Sequence, residues 1–181
     1  MNLLFLEKGV EKLDKEKKSY SENEDSSRIL PCHRIVRDLN GLSDQALIGS
    51  LKFNFEVMGM PPGFICRPVE QHCFGLYLHG CWYHLKAYPD VYEGKNVLEN
   101  LDVNILQEKV LRPVFGILDP IRDERIFLMD SSVTLEEMQQ IADRNQGALF
   151  VLYPPSEEQL REIREKGFSI PVMTYCKEKK N

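Results

Sequence analysis

The spacing of hydrophobic residues along the chain alternates between a helical and a strand-like period. Apolar positions repeat every three or four residues over 96–111, which predicts an amphipathic helix, and a second helix is predicted over 43–50. Alternating or continuous apolar runs predict strands at 28–36, 52–57, 64–69, 73–78, 114–118, 125–129, 148–153 and 168–175. The pattern therefore predicts both helices and strands along most of the chain.

Capping signals add two further helices to the second half of the chain. Thr134 with Glu137 and Ser156 with Gln159 have the spacing of capping boxes, and glycines follow each helix. A strand, a helix and a strand in succession predict a right-handed crossover between parallel strands. A hairpin is predicted around residues 119–124. We therefore expect an α/β fold, with α+β as the alternative: a single domain with a mixed sheet and flanking helices.

Composition narrows the class of protein and divides the chain into three parts. The 181 residues are 43% hydrophobic and 28% charged with a net charge of −5, which excludes a disordered chain or a disulfide-rich miniprotein. The sequence of residues 1–27 predicts a charged N-terminal helix and tether, which either binds a protein partner or packs on the domain. Residues 28–181 predict a single globular domain, with a Cys/His-rich β-block at 28–89 and an α/β scaffold at 90–181.

The apolar N-terminus is too short for a secretory signal. Glu7 and Lys8 interrupt the run that begins at Met1, and the chain has no apolar run of about 18 residues. Five cysteines without a signal favour reduced thiols. We therefore expect an intracellular protein, cytoplasmic or nuclear, that does not contact a membrane.

Candidate metal ligands concentrate in the β-block. All four histidines and four of the five cysteines lie there. Thiolates and imidazoles are the ligands that zinc prefers, and a turn at Gly80 would bring four of them together: Cys73, His79, Cys81 and His84. The alternative is that buried cysteines and aromatic residues fill a core.

A possible nucleophile lies in residues 30–36, Leu-Pro-Cys-His-Arg-Ile-Val. Basic neighbours lower the pKa of a thiol, and the thiolate is the reactive species. The run resembles the active-site motif of the O6-alkylguanine-DNA alkyltransferases. That resemblance implies that Cys32 accepts an alkyl group and that His33 relays its proton, whereas the alternative is a strand with one buried cysteine.

Residues 62–84 contain the run His79-Gly-Cys-Trp-Tyr-His84 after an apolar strand. This stretch resembles the very-short-patch mismatch-repair endonucleases. The resemblance implies that His79 and His84 act beside a magnesium-binding carboxylate. Cys66 stands where that family has its aspartate, and Glu70 is the nearest carboxylate.

The β-block has a net positive charge of two, although the whole chain is acidic. The basic and aromatic side chains expected to contact nucleic acid are Arg34, Arg37, Arg67, Trp82 and Lys86. Trp82 is either a stacking platform or part of a core.

These features predict a DNA-binding, DNA-repair-type protein, and as an enzyme a metal-assisted endonuclease-like hydrolase. It would use zinc or magnesium, or no cofactor. The alternatives are a non-catalytic binding or regulatory module and thiol chemistry centred on Cys32.

Overall fold

A six-stranded sheet in the order β3-β5-β4-β7-β2-β6 forms the centre of the molecule. The structure, a computed structural model, describes residues 28–130 and 132–177, so the predicted N-terminal helix and tether at 1–27 lie outside it. The strands in the described part are β1 (Ile29–Pro31), β2 (His33–Val36), β3 (Phe55–Gly59), β4 (Cys73–Leu78), β5 (Cys81–Ala87), β6 (Ile126–Met129), β7 (Ala148–Leu152) and β8 (Tyr175–Lys177). All of their pairings are antiparallel, and β1 and β8 form a separate two-stranded sheet.

Helices cover both faces of the sheet. They are α1 (Asp44–Leu51), α2 (Pro89–Tyr92), α3 (Asp102–Leu106), a π-helical turn (Gln107–Leu111), α4 (Arg112–Phe115), α5 (Leu135–Arg144) and α6 (Glu157–Glu165). One core contains Phe74, Leu76 and Leu78 of β4 with residues of α1 and of the segment from α3 to α4. Tyr77, on the opposite face of β4, packs in a second core with residues of α5. Because both faces are covered, β4 and β7 are buried along their whole length.

The predicted α/β class is confirmed: a sheet with flanking helices in a single domain. Both capping boxes are present, since the side chains of Thr134 and Ser156 each accept a hydrogen bond from the backbone three residues later. The predicted β-block and scaffold share this sheet, since β7 of the scaffold lies between β4 and β2 of the β-block.

The predicted parallel crossover and the hairpin around 119–124 are wrong. β7 is followed by α6, but the next strand, β8, leaves the large sheet and pairs with β1. Residues 112–115 are helical, and β6 pairs with β2 instead of with a neighbour in sequence. Pro113 does not end the helix, because the wider π-helical turn before it makes room for the proline ring.

Residues 64–69 do not form the predicted strand but cross over the middle of β4. A Cβ atom at Gly75 would collide with the carbonyl oxygen of Cys66. The absence of a side chain at Gly75 therefore lets this segment lie directly on the sheet and buries Cys66 in the second core.

Candidate functional site

The four predicted zinc ligands lie on one hairpin but not at one place. Cys73 begins β4, whereas His79 lies in the turn after its last residue, about 20 Å away at strand spacing. Cys81 is exposed, and His84 pairs with Gly75 near the middle of the sheet. Within residues 28–130 and 132–177, no group of three or more His, Cys, Asp or Glu side chains is arranged to hold a metal ion. The predicted zinc site is therefore wrong.

Glu70, the carboxylate predicted to assist magnesium, lies at the far end of β4 from His79. It accepts a hydrogen bond from Lys86 Nζ at 3.2 Å, and its Oε1 lies 3.6 Å from Cys73 Sγ. Burial and this contact with Glu70 raise the pKa of the Cys73 thiol to about 11. Cys66 is buried in the second core. The arrangement implied by the endonuclease resemblance, a carboxylate beside His79 and His84, is not formed by these residues.

Cys32 and His33 lack the access that the alkyltransferase resemblance implies. Cys32 is fully buried, and burial raises the pKa of its thiol to about 12, so the thiolate is scarce. The Leu152 backbone N–H donates to His33 Nδ1 at 3.2 Å, and burial lowers the pKa of this imidazole to about 4. A neutral, buried histidine bound to the backbone does not relay protons to a surface.

The residues predicted to bind nucleic acid do not form one surface. Arg34 is buried and donates to the backbone carbonyls of Cys32, His33 and Met173. Trp82 is 5% exposed and packs against Tyr77 with ring centroids 5.3 Å apart, so it belongs to the core. The three remaining residues are exposed: Arg37 lies over the ring of Phe127, Lys86 pairs with Glu70, and Arg67 lies in the segment over β4.

His79 does have a carboxylate partner, and it comes from α1. The β4–β5 turn has two residues, His79 and Gly80, with φ of 45° and 84°. These positive values are typical of a type I′ hairpin, which orients the imidazole outward at the tip. Asp44, the first residue of α1, lies with its two carboxylate oxygens 2.9 and 3.1 Å from His79 Nδ1. Ser43 fixes the start of that helix, since its hydroxyl accepts from the Ala46 backbone N–H at 3.2 Å.

The charge on Asp44 determines which ring nitrogen of His79 faces a ligand. An ionised carboxylate only accepts hydrogen bonds, so the proton lies on His79 Nδ1 and this N–H donates a hydrogen bond to Asp44. In the neutral imidazole, Nε2 is then the proton acceptor. This is the arrangement in which a carboxylate orients a histidine for acid–base chemistry.

The pair faces an open cleft of about 700 Å³ between the hairpin tip, α1 and the end of α5. Three residues other than glycine around the cleft have left-handed backbone conformations: Asn40 (φ 54°), His79 and Gln146 (φ 52°). Such conformations are costly for residues with a side chain and are frequent at functional sites. Only His79 and Gln146 contribute to the lining itself.

Two further carboxylates line the cleft. Asp143 accepts a hydrogen bond from the Tyr77 hydroxyl at 2.8 Å, and Asp38 accepts one from the Asn40 backbone N–H at 2.8 Å. Burial and the bond to Asp143 raise the pKa of Tyr77 to about 12, so Tyr77 remains a donor. Among the described residues that line the cleft, none is a lysine or an arginine. The lining itself therefore carries three carboxylates, and Arg37 lies at its edge, where its Nε donates to Asn145 Oδ1 at 3.4 Å.

Sequence reasoning found His79 but missed Asp44, Asp38 and Asp143. The signal for Asp44 was present, because Ser43 followed by a predicted helix places Asp44 in the first helical turn. Nothing in the spacing indicated that this turn would meet a hairpin tip 35 residues later.

Comparisons with known proteins place the chain near a family without an assigned function. The family model described as "Protein of unknown function (DUF1015)" matches residues 19–104, just under half of the chain. No curated protein matches the chain.

Several solved structures of free serine kinase resemble the fold. The kinase in complex with AMP has 15% identity and a TM-score of 0.45, over 87% of this chain and 56% of that chain. A mutant of the kinase in complex with ADP has 16% identity and a TM-score of 0.44, over 86% of this chain and 55% of that chain. This chain thus spans little more than half the length of those kinases.

The predicted nucleic-acid function is wrong. The family model that matches the chain is that of neither mismatch-repair endonucleases nor alkyltransferases. The geometry agrees, because the motif residues of both resemblances are buried or separated. The predicted DNA-repair, nuclease and metal-binding properties are wrong as well. Among the helices that the structure describes, none is both long and apolar enough to cross a membrane.

Proposed function

We propose that the cleft at the β4–β5 hairpin tip binds a small molecule carrying a positive charge and a hydroxyl group, with His79 as its proton acceptor. The observation that carries this proposal is the hydrogen-bonded His79–Asp44 pair at the mouth of a carboxylate-lined cleft. The ammonium group would pair with Asp38 or Asp143. The hydroxyl would donate to His79 Nε2, with the proton on Nδ1 held by Asp44.

The preference for a cation follows from the composition of the lining. Asp38, Asp44 and Asp143 contribute three carboxylates, one of which is shared with His79. A phosphate or carboxylate ligand would meet these groups without a basic side chain from the lining to compensate. The Gln146 amide completes the cleft and can both donate and accept, whereas the Asn145 amide accepts from Arg37 Nε at 3.4 Å and donates to the Ile141 carbonyl at 2.7 Å.

The test is a titration of ¹⁵N- and ¹³C-labelled protein followed by NMR. Ethanolamine carries both groups, ethylene glycol lacks the charge, and glycolate reverses its sign. A probe of four heavy atoms binds at best in the millimolar range or slightly tighter. We expect ethanolamine to shift the signals of His79, Gln146 and Gly41 far more than the other two probes do.

Matched variants separate the cleft from the rest of the hairpin. Asp44→Asn and His79→Gln are expected to weaken ethanolamine binding at least tenfold. His84→Gln is the control, because His84 lies within β5 and not at the tip. Equal shifts from ethanolamine and glycolate, or preferential binding of AMP or ADP at this cleft, would overturn the proposal.

A further inference from the structure

A second polar site lies at the opposite end of β4, around Asp102. This residue is 8% exposed and begins α3. Its Oδ1 accepts a hydrogen bond from the His72 backbone N–H at 2.9 Å. Its Oδ2 is buried and has no hydrogen-bond partner among the described residues. A buried carboxylate with one unsatisfied oxygen is costly and indicates a missing partner.

Asp102 lines a small cavity with a volume of about 10 Å³, which is the room of one water-sized sphere. Gln71, Tyr153, Pro154, Pro155 and Thr174 are among the other lining residues. The lining contains no lysine, arginine or histidine, so it supplies no counter-charge for the carboxylate.

The lining offers oxygen acceptors beside the Asp102 carboxylate. The Thr174 hydroxyl donates its proton to the Pro171 carbonyl at 2.6 Å, which leaves only lone pairs for another partner. Gln71 Nε2 donates one of its two protons to Gln159 Oε1 at 2.6 Å, which leaves its second N–H and its oxygen for other groups. Pro154 and Pro155 have no backbone N–H to offer. Oxygen acceptors beside a buried carboxylate that has no basic side chain in its lining suit a cation.

We propose that this cavity binds one water-sized monovalent cation, ammonium or K⁺, directly on Asp102 Oδ2. The ion would supply the counter-charge that the lining lacks, and neutral oxygens would complete its surroundings. This site is independent of the cleft at His79, so either proposal can fail without the other.

A proton is the competing partner for the carboxylate. Burial raises the pKa of Asp102 to about 7, so below that pH the proton occupies Oδ2 or Oδ1 and a cation is excluded. Cation binding should therefore be present at pH 8 and lost at pH 5.

The experiment compares thermal unfolding of the full chain at pH 8 in equal concentrations of four chloride salts. The cations are ammonium, K⁺, Na⁺ and tetramethylammonium, which is too large for the cavity. At about ten times the Kd, we expect ammonium or K⁺ to raise Tm by about 3 °C relative to tetramethylammonium. At pH 5 that difference should disappear.

Two variants and a direct signal complete the test. Asp102→Asn keeps an acceptor for His72 and removes the charge, so its Tm should not distinguish the cations. Asp90→Asn is the matched control, since Asp90 is also in the first turn of a short helix but is exposed. Bound ¹⁵N-ammonium should give a slowly exchanging NMR signal in the wild type and in Asp90→Asn only.

Equal Tm values in all four salts, or a difference that persists in Asp102→Asn, would overturn the proposal. The cavity would then be a site for a water molecule or for the protonated carboxyl alone.

Discussion

The two ends of β4 carry the same kinds of residue in opposite surroundings. At each end a histidine has a left-handed backbone, His72 with φ of 63° and His79 with φ of 45°, and each meets an aspartate that begins a helix. At the hairpin tip the contact joins two side chains, which are 37% and 46% exposed. At the other end the aspartate is buried and binds the histidine's backbone N–H.

The same pair of residue types, Asp and His, therefore has a different chemical role at each end of β4. Asp44 remains solvated and orients an imidazole toward an open cleft. Asp102 is removed from water without a charged partner, and its protonation state becomes the property that matters. Burial, rather than the pairing of Asp with His, determines what each end can do.

Asp102→Asn is expected to produce the largest change in stability. Burial raises the pKa of Asp102 from 3.8 to about 7, so between these values the folded chain holds a proton that the unfolded chain has released. The wild type therefore loses stability as the pH rises through this window, and the Asn variant does not. The difference in the free energy of unfolding should grow from near zero at pH 4 to on the order of 4 kcal/mol at pH 7.

Urea unfolding at pH 4, 5, 6 and 7 in tetramethylammonium chloride measures this difference. His33, whose pKa is lowered to about 4 by burial, adds stability as the pH rises from about 4 to 6.5 in both proteins, so it cancels in the comparison. Parallel pH profiles for the two proteins would show that Asp102 is not buried as described.

Tyr77→Phe tests whether a buried polar group at the cleft end of β4 affects stability, as Asp102 is expected to do at the other end. Tyr77 is 6% exposed, and its hydroxyl donates to Asp143 at 2.8 Å. Removing the hydroxyl should lower the free energy of unfolding by about 1 kcal/mol, measured in urea at pH 7. Asp143→Asn keeps an acceptor for Tyr77 and should change stability much less. Equal destabilisation by Tyr77→Phe and Asp143→Asn would contradict a stabilising role for the Tyr77 hydroxyl.

His79→Asn is expected to stabilise the fold while removing the proposed proton acceptor. Asn-Gly is the preferred pair for a two-residue type I′ turn, whereas histidine tolerates the positive φ less well. Thermal or urea unfolding should show a gain of about 0.5 kcal/mol, with loss of ethanolamine binding. His84→Asn, within a strand, should show no gain. A destabilised His79→Asn variant would mean that the Asp44 contact outweighs the strain.

Asp44→Asn should have the smallest effect on stability. The His79–Asp44 pair is substantially exposed, so its loss should change the free energy of unfolding by less than about 0.5 kcal/mol. Its effect on ethanolamine binding should be much larger. A stability change comparable with that of Asp102→Asn would remove the contrast between the two ends.

Local signals in the sequence predicted much of the fold. The limits of β4 at 73–78 and both capping-box helices agree with the prediction, because alternation and caps act over a few residues. The parallel crossover failed because strand pairing is decided by tertiary contacts: β8 pairs with β1 at the other end of the described chain. The helix predicted to end at residue 111 continues to Phe115, because a π-helical turn accommodates Pro113.

The candidate site was predicted only in part, because proximity in sequence was mistaken for proximity in space. Cys73 and His79 are six positions apart, but the extended strand β4 puts them at its opposite ends. His79 and Asp44 are 35 positions apart and in contact. Sequence separation in a strand predicts distance well, whereas contacts between a turn and a helix require the assembled core.

The two-residue turn at His79 has a kinetic consequence. The tip is fixed by the pairing of Leu78 with Cys81, and Asp44 is fixed by the cap of α1, so neither partner needs to rearrange when a ligand arrives. Binding at such a preorganised pair requires little ordering of the chain. Association rates should then vary little among related ligands, and differences in affinity should come mainly from how long each ligand stays bound.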